Sequence, residues 1–182
     1  MTEPVGTVVA VHASAGHGFS KQTRDRIDIV AGLGVAGDAH SGVTVKHRSR
    51  VRADPSQPNL RQVHLIAAEL LDALNGQGFD LAPGALGENI TTRGIDLINL
   101  PRGTILAIGP VRLEVTGLRN PCSQIEDFRA GLLKQMVGRR ADGSPLLRTG
   151  IMSVVAHGGR VSAGDAIGVH RPPPPHIRLE RV

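Results

Sequence analysis

Short runs of alternating apolar and polar residues recur along the chain and predict a mainly β protein. Residues 111–115 show the pattern most clearly, because Val and Leu occupy every second position, which is the period of a half-buried strand. Gly109 and Pro110 separate this segment from the apolar residues 103–109, so the two segments are predicted to form a hairpin. Further strands are predicted over residues 7–11, 27–31, 43–47, 62–66, 151–157, 160–161 and 166–169. The last two are predicted to pair with each other.

Helical spacing of apolar residues is confined to two segments. Residues 67–74 are predicted to form a short helix that ends at Asn75 and Gly76. Apolar residues also recur at helical spacing from Ser123 to Val137, with acidic residues in the first turn, where the helix dipole favours them. Because strands and helices do not alternate in a βαβ pattern, the predicted fold is a β-barrel or sandwich with a few short α-helices.

The length of 182 residues suits one well-buried domain. We predict a single domain over residues 1–170 and a Pro-rich tail over residues 171–182, which is not expected to pack as a strand. Residues 48–59 are polar and aperiodic and contain two prolines, so they are predicted to form a surface loop.

The composition and the first residues of the chain predict where the protein is located in the cell. The chain has no apolar run of transmembrane length, and its first residues lack the basic and apolar regions of a secretory signal. A single cysteine cannot form an internal disulfide. These features predict a soluble cytoplasmic protein without a membrane partner.

The net charge of +5 raises nucleic acid as a partner class. The chain has no Trp, no Tyr and only three Phe, so side chains on which bases could stack are nearly absent, and no basic run resembles a recognition helix. The sequence therefore argues against nucleic-acid binding. Only three of the 21 basic residues are lysine, and arginine suits bidentate binding of phosphate or carboxylate. Genomic base composition explains most of this bias, and only Arg61 and Arg119 are singled out by their neighbours.

The single cysteine, Cys122, lies between the predicted strand over 111–115 and the helix predicted from Ser123. Unpaired N–H groups at a helix start favour a thiolate, and Arg119 could add to this effect. A thiolate is both a nucleophile and a soft metal ligand. The alternative is a buried and inert cysteine, and the local sequence leaves both interpretations open.

Other candidate polar residues lie in glycine-rich turns or beside strands. They are Asp38, His40, Arg61, His64, Glu88, Asn89, Thr92, Thr116 and Arg119. Each also has a structural interpretation, since Asp and Asn beside Gly cap turns and a single histidine is often a hydrogen-bonded core residue. The eight histidines form no zinc-binding pair, and the chain contains no phosphate-binding P-loop.

Six ordered motifs resemble those of MOSC domains, the C-terminal domains of molybdenum cofactor sulfurases, and in particular the stand-alone bacterial type. The resemblance spans about residues 5–170. The motifs are Gly-Asp-Ala-His-Ser-Gly (37–42), Asn-Leu-Arg-Gln-Val-His-Leu-Ile (59–66), Pro-Gly-Ala-Leu-Gly-Glu-Asn-Ile-Thr-Thr (83–92), Leu-Pro-Arg-Gly-Thr (100–104), Val-Thr-Gly-Leu-Arg-Asn-Pro-Cys (115–122) and Gly-Ile-Met-Ser-Val-Val (150–155) with Gly-Asp at 164–165. Phe19-Ser-Lys21 after a histidine-containing loop fits as well.

The resemblance implies a MOSC-type β-barrel with a cavity for the molybdopterin form of the molybdenum cofactor. Cys122 aligns with the cysteine of this family that is thought to ligate molybdenum. His40 and His64 are then expected to act as proton donors. The expected cofactor-binding residues are Arg61, Asn89, Thr92, Thr116, Arg119 and Cys122.

The leading hypothesis is a molybdenum-dependent oxidoreductase that reduces N-hydroxylated or N-oxide small molecules with electrons from a separate electron-donor protein. The alternative is a sulfur carrier or cofactor-binding module in which Cys122 bears a persulfide. Pyridoxal phosphate is not expected, because the chain lacks the desulfurase domain of the fused relatives. A basic nucleic-acid-binding barrel is a third hypothesis, and it rests on the pI alone.

Overall fold

The computed structural model describes residues 5–44, 52, 54 and 56–182. Most of the strand predicted over 43–47 and much of the loop predicted over 48–59 lie outside these residues. Within the described part, Thr44 forms a single antiparallel bridge with Pro58.

The described residues form thirteen strands and three α-helices. The strands are β1 (Gly6–His12), β2 (Thr23–Arg24), β3 (Arg26–Val30), β4 (Gly34–Val35), β5 (Val63–Ala67), β6 (Ile90–Arg93), β7 (Ile105–Ile108), β8 (Val111–Leu118), β9 (Val137–Arg139), β10 (Pro145–Leu147), β11 (Ile151–His157), β12 (Gly159–Ser162) and β13 (Ala166–His170). The helices are α1 (Ala68–Asn75), α2 (Ser123–Phe128) and α3 (Leu132–Met136), and a 3₁₀ turn spans Leu97–Asn99.

Seven strands form a closed barrel. Their order is β13, β7, β8, β11, β5, β6 and β1, and pairing of β1 with β13 closes the ring. Strand β2 extends β1 outside the ring, while β12, β3 and β4 form a separate three-stranded sheet. Strands β7 and β8 are the predicted hairpin. The prediction of a mainly β barrel with a few short helices is confirmed.

One βαβ unit is present, and here the sequence prediction was wrong. Strands β5 and β6 pair in parallel, with Leu65 opposite Ile90. Helix α1 provides the crossover between them, because parallel neighbours cannot be joined by a tight turn. The buried residues of α1, among them Leu71 and Leu74, pack against the outside of the sheet.

Two hydrophobic clusters stabilise the fold. Inward residues of the barrel strands form the larger cluster, and every second residue of β8 from Val111 to Val115 is buried in it, as the alternation predicted. The smaller cluster joins the three helices to the barrel wall. Its buried members are Ile66, Leu71, Leu74, Leu81, Leu86, Ile125, Leu132 and Met136.

The helix predicted from Ser123 to Val137 is interrupted. Helix α2 ends at Phe128, since Arg129 is extended with φ of −147°. Gly131 is the N-cap of α3 with φ of 81°, a left-handed conformation that glycine adopts without steric cost. Val137 then begins β9, which forms a hairpin with β10.

The pairing expected between the last two strands is also wrong. Strand β12 pairs with β3, whereas β13 pairs with β7 and β1. The turn between them is held against β1 instead, since the Gly164 N–H donates to the Val8 carbonyl at 2.8 Å and the Val8 N–H donates to the Asp165 carbonyl at 2.8 Å.

The end of the Pro-rich segment packs against the barrel, contrary to expectation. Leu179 is buried, the Leu118 N–H donates to the Glu180 carbonyl at 2.7 Å, and Arg181 forms a parallel bridge with Leu118. Prolines occupy only the first part of the segment, so the later residues keep the N–H groups that a strand needs. The division of the chain at residue 170 stays a prediction.

Among the described residues, no helix is long and apolar enough to cross a membrane.

Candidate functional site

A cleft of about 500 Å³ opens where several strand connections meet. Its walls come from the loop before β2, the turn after β4, the start of β5, the approach to β6 and the link from β8 to α2. Six of the predicted site residues line it: His40, Arg61, His64, Asn89, Arg119 and Cys122. Residues separated by more than 80 positions in the sequence are therefore brought to one site by the barrel.

The cleft is lined by basic side chains and, among the described residues, by no Asp or Glu. The basic groups are Lys21, Arg52, Arg61 and Arg119, with the histidines His17, His40 and His64. A concave surface lined by one sign of charge concentrates counter-ions. The arrangement therefore suits an anionic ligand.

Arg119 is fixed in the wall of the cleft. It follows β8 directly, its backbone N–H donates to the Gly150 carbonyl at 3.0 Å, and its guanidinium donates to the Leu86 carbonyl. The guanidinium carbon lies 5.7 Å from the centre of the Phe19 ring, within range of a cation–π contact. Burial lowers the pKa of Arg119, and the charges of Cys122 and Glu88 oppose this. The guanidinium is therefore a buried donor held in a fixed position in the wall of the cleft.

Cys122 is half-buried at the mouth of this site. It occupies the N-cap position of α2, and its thiol lies 3.8 Å from Oε1 of Gln124. Because α2 has six residues rather than the predicted fifteen, its dipole is weaker than the sequence suggested. The guanidinium of Arg119 is a further side-chain partner of the thiol.

His64 lies deeper in the site, 5% exposed. Its Nε2–H donates to the Thr149 carbonyl at 2.7 Å, and its backbone N–H donates to Oδ1 of Asn89 at 3.1 Å. Burial, and then the positive charge of Arg119, hold the pKa of His64 well below its ordinary value. His64 is therefore a neutral residue whose Nε2 proton is already hydrogen-bonded, so His40 is better placed to donate a proton into the cleft.

The depressed pKa of His64 makes stability depend on pH. Near pH 6.5 His64 takes up a proton in the unfolded chain, whereas the buried imidazole of the folded chain stays neutral. The free energy of unfolding therefore falls as pH drops below that value, by up to about 1.4 kcal/mol per pH unit. Urea unfolding at several pH values between about 5 and 7.5 measures this slope. His64→Gln should reduce the slope but not abolish it, because burial also lowers the pKa of His12, whereas His157→Gln, at an exposed position, should leave it unchanged. Equal slopes in all three proteins would contradict the assignment.

The Asn89 side chain is used for barrel structure, although it lines the cleft. Its Oδ1 accepts from the His64 N–H, and its Nδ2 donates to the His12 carbonyl at 3.3 Å. The amide thus links β5 and β1 from the residue that precedes β6.

Thr92 and Thr116 are not among the cleft-lining residues. Thr92 lies further along β6 and is completely buried. The hydroxyl of Thr116 donates to the Leu60 carbonyl at 2.6 Å. The expected roles of Thr92 and Thr116 in cofactor binding stay predictions.

The sequence analysis named Lys21 and Asp38 but did not predict that they pair with each other. Asp38 was interpreted as a turn cap, and it does accept from the backbone N–H groups of Ser14 and His40. Its other role is an ion pair of 2.6 Å with Lys21. Burial raises the pKa of Asp38, but the contacts with His40 and Lys21 outweigh this and hold it well below its usual range. The available signal was a rare lysine within an arginine-rich chain.

Within the part of the chain that the structure describes, no three His, Cys, Asp or Glu side chains converge as a metal site. A metal ion in the cleft would therefore need most of its ligands from another molecule.

Comparison with known structures agrees with this fold. The barrel is similar to the YUAD protein from Bacillus subtilis, with a TM-score of 0.73 and 23% sequence identity over 95% of this chain and 100% of that one. It is also similar to YiiM from Escherichia coli, with a TM-score of 0.60 and 18% identity over 94% of this chain and 73% of that one. YiiM from Geobacillus stearothermophilus has a TM-score of 0.57 and 16% identity, over 93% and 75% of the two chains.

No curated protein sequence matches the chain significantly. The family model of the MOSC domain matches residues 44–168. That segment contains Arg61, His64, Asn89, Arg119 and Cys122, whereas Lys21 and His40 precede it. With most of its length matched and the resemblance in its motifs confirmed, the chain belongs to the MOSC domain family, whose members can bind the molybdenum cofactor.

Proposed function

We propose that this chain binds the molybdopterin form of the molybdenum cofactor in the cleft, with Cys122 as a ligand of the metal. We further propose that it is an oxidoreductase that reduces N-hydroxylated or N-oxide small molecules. The supporting observation is a cleft that combines one accessible thiol with several cationic side chains and, among the described residues, no carboxylate in its lining.

The chemistry of these donors fits the cofactor. Molybdopterin ends in a phosphate, and Arg61 and Arg119 are the donors suited to hold it. The thiol of Cys122 is a soft ligand of the type that a molybdenum centre with sulfur ligands accepts. Since no three-residue metal site is present in the described residues, the cofactor's own dithiolene sulfurs would provide the remaining ligands. When bound, the cofactor would supply the two-electron chemistry at molybdenum.

The residues of the chain would donate protons and orient the ligand. Reduction of an N–OH group to N–H and water consumes two electrons and two protons, so the site needs a proton donor beside the substrate. His40 is half-exposed in the cleft wall and is the better placed histidine. Arg61 and Arg119 orient the anionic ligand, and the electrons come from a separate electron-donor protein.

The test begins with wild-type protein that is expressed together with the cofactor biosynthetic pathway. The proposal expects near-stoichiometric molybdenum and pterin in the purified protein. It also expects reduction of N-hydroxylated substrates by the loaded protein with a chemical reductant in place of the donor protein. Absence of both metal and pterin would contradict cofactor binding. A labile sulfur adduct on Cys122, found by mass spectrometry in that case, would support the sulfur-carrier hypothesis.

Arg61→Gln should reduce pterin retention about tenfold or more, because a lost hydrogen bond to a charged group costs about 1.5–3 kcal/mol. Arg61 is a half-buried residue of the cleft wall. The matched control is Arg160→Gln, since Arg160 is exposed on β12 and pairs with Asp28 there. Pterin is measured by fluorescence after oxidative release from the purified protein. Equal losses in the two variants would exclude a specific contribution of Arg61.

A further inference from the structure

A buried ion pair lies directly behind His40. The Asp38 side chain is completely buried and that of Lys21 is 4% exposed, whereas that of His40 is 32% exposed. Lys21 and His40 line the cleft, and Asp38 lies behind them. The His40 ring also packs edge-on against His17, with ring centres 5.9 Å apart. The His40 ring therefore has Lys21 and Asp38 on one side and the cleft on another.

The contacts of Nδ1 determine which ring nitrogen of His40 holds the proton. Nζ of Lys21 lies 3.2 Å from Nδ1 of His40. A lysine ammonium can only donate, so Nδ1 must be the acceptor in this hydrogen bond. A neutral imidazole that accepts at one nitrogen holds its proton on the other. The proton of neutral His40 therefore lies on Nε2.

The competing arrangement would place the proton on Nδ1, facing Asp38. Oδ2 of Asp38 is 3.6 Å from Nδ1. This contact helps to lower the pKa of Asp38, but it is longer than the distance from Nδ1 to Lys21 and beyond an ordinary hydrogen bond. That oxygen already accepts from the His40 backbone N–H at 3.2 Å. Oδ1 is occupied by Lys21 at 2.6 Å and by the Ser14 N–H at 3.1 Å. The Asp38 carboxylate therefore binds Lys21 and the backbone of the turn, and Lys21 in turn donates to the His40 ring.

We propose that the Lys21–Asp38 ion pair is a positioning device that fixes neutral His40 in the Nε2–H tautomer. Nδ1 is tied to the buried pair, so Nε2 on the far side of the ring is left to donate a hydrogen bond to an oxygen atom of a ligand in the cleft. The identity of that ligand rests on the proposed function, whereas the tautomer does not. Lys21 and Asp38 act through His40 and need not touch the ligand.

Long-range ¹H–¹⁵N NMR on the wild-type protein without cofactor tests the tautomer directly. The spectrum is recorded about two pH units above the ordinary histidine pKa. We expect the His40 Nδ1 signal in the range of an unprotonated nitrogen and the Nε2 signal in the range of a protonated one. A protonated Nδ1, or an even mixture of the tautomers, would overturn the proposal. Because no metal or pterin is present, this result is independent of the proposed function.

Lys21→Met tests the role of the lysine. With Nζ removed, Asp38 keeps the backbone N–H groups of Ser14 and His40 but loses its ion-pair partner, so the Nδ1–H form, which faces Oδ2, should rise from the minor to the major tautomer. Lys134→Met makes the same change at an exposed position of α3 and should leave the His40 signals unchanged. Retention of the Nε2–H tautomer in Lys21→Met would exclude the proposed role of Lys21. If that variant does not fold, the wild-type spectrum still decides the proposal.

Inorganic phosphate serves as the probe for donation by Nε2–H. Its addition to the wild-type protein should shift the His40 Nε2 signal and leave that of the exposed His157 in place. Equal shifts of both signals, or none, would overturn donation into the cleft.

Discussion

Cys122→Ser is expected to lower the molybdenum content of the purified protein by about tenfold or more, since losing a residue that only hydrogen-bonds to a metal ligand already costs about 10–100-fold in affinity. A serine hydroxyl is a hard and poorly ionised ligand, so it cannot replace the thiolate at a soft metal centre. Pterin content should fall less, because Arg61 and Arg119 are expected to hold the phosphate of the cofactor. The ratio of molybdenum to pterin, measured by mass spectrometry and fluorescence, separates the two effects.

The substitution should leave the fold intact. Cys122 is half-buried, and its thiol contacts Gln124 at 3.8 Å and the Arg119 guanidinium, contacts that a serine hydroxyl can also make, so the urea midpoint should stay close to that of the wild type. An unchanged midpoint with reduced molybdenum assigns the loss to the missing ligand. Full molybdenum retention and full reductase activity in this variant would contradict Cys122 as the metal ligand and return the thiol to the sulfur-carrier hypothesis.

The strands were the part of the fold that the sequence could predict. A half-buried strand leaves a local record in the alternation of its side chains, as β8 shows from Val111 to Val115. The hairpin of β7 and β8 was equally accessible, since Gly109 and Pro110 mark the turn between two such segments.

Pairings between strands that are distant in the sequence produce no such local pattern. Strand β13 pairs with β1 across nearly the whole chain to close the barrel, and β5 and β6 are parallel. The alternation of a strand gives which face is buried but not which neighbour it has. The break between α2 and α3 was missed for a related reason. Apolar residues before and after Gly131 pack into the same cluster, so their spacing along the sequence still resembles that of one helix.

The sequence predicted which residues line the site better than it predicted the hydrogen bonds and ion pairs between them. Glycine-rich turns and family motifs indicated His40, Arg61, Arg119 and Cys122, and the barrel brings them to one cleft. Burial of the Lys21–Asp38 pair depends on how two loops fold over each other, and the sequence of neither loop determines that. The motif that contains Thr116 was matched correctly, but its hydroxyl is bonded to the Leu60 carbonyl, which only the tertiary structure could show.

Gly150→Ala is expected to destabilise the protein by about 2–5 kcal/mol, the sum of a left-handed backbone cost of about 1–2 and an overpacking cost of about 1–3 kcal/mol. Gly150 has φ of 87°. A Cβ atom there would meet the Leu65 carbonyl oxygen, lie 2.7 Å from Cγ1 of Ile66 and 3.0 Å from Nε2 of His64. The first of these is backbone of β5, which cannot move without disturbing its pairing with β11.

Gly164→Ala is the matched control, because Gly164 has φ of 92° but no heavy atom within 4 Å of the added Cβ. It should cost only the backbone part, about 1–2 kcal/mol, and the difference between the two variants in urea unfolding measures the steric part. The Gly150 variant should also lose cofactor retention, since the Gly150 carbonyl accepts the N–H of Arg119. Equal destabilisation in the two variants would contradict the close packing of β11 against β5, on which the positions of both His64 and Arg119 depend.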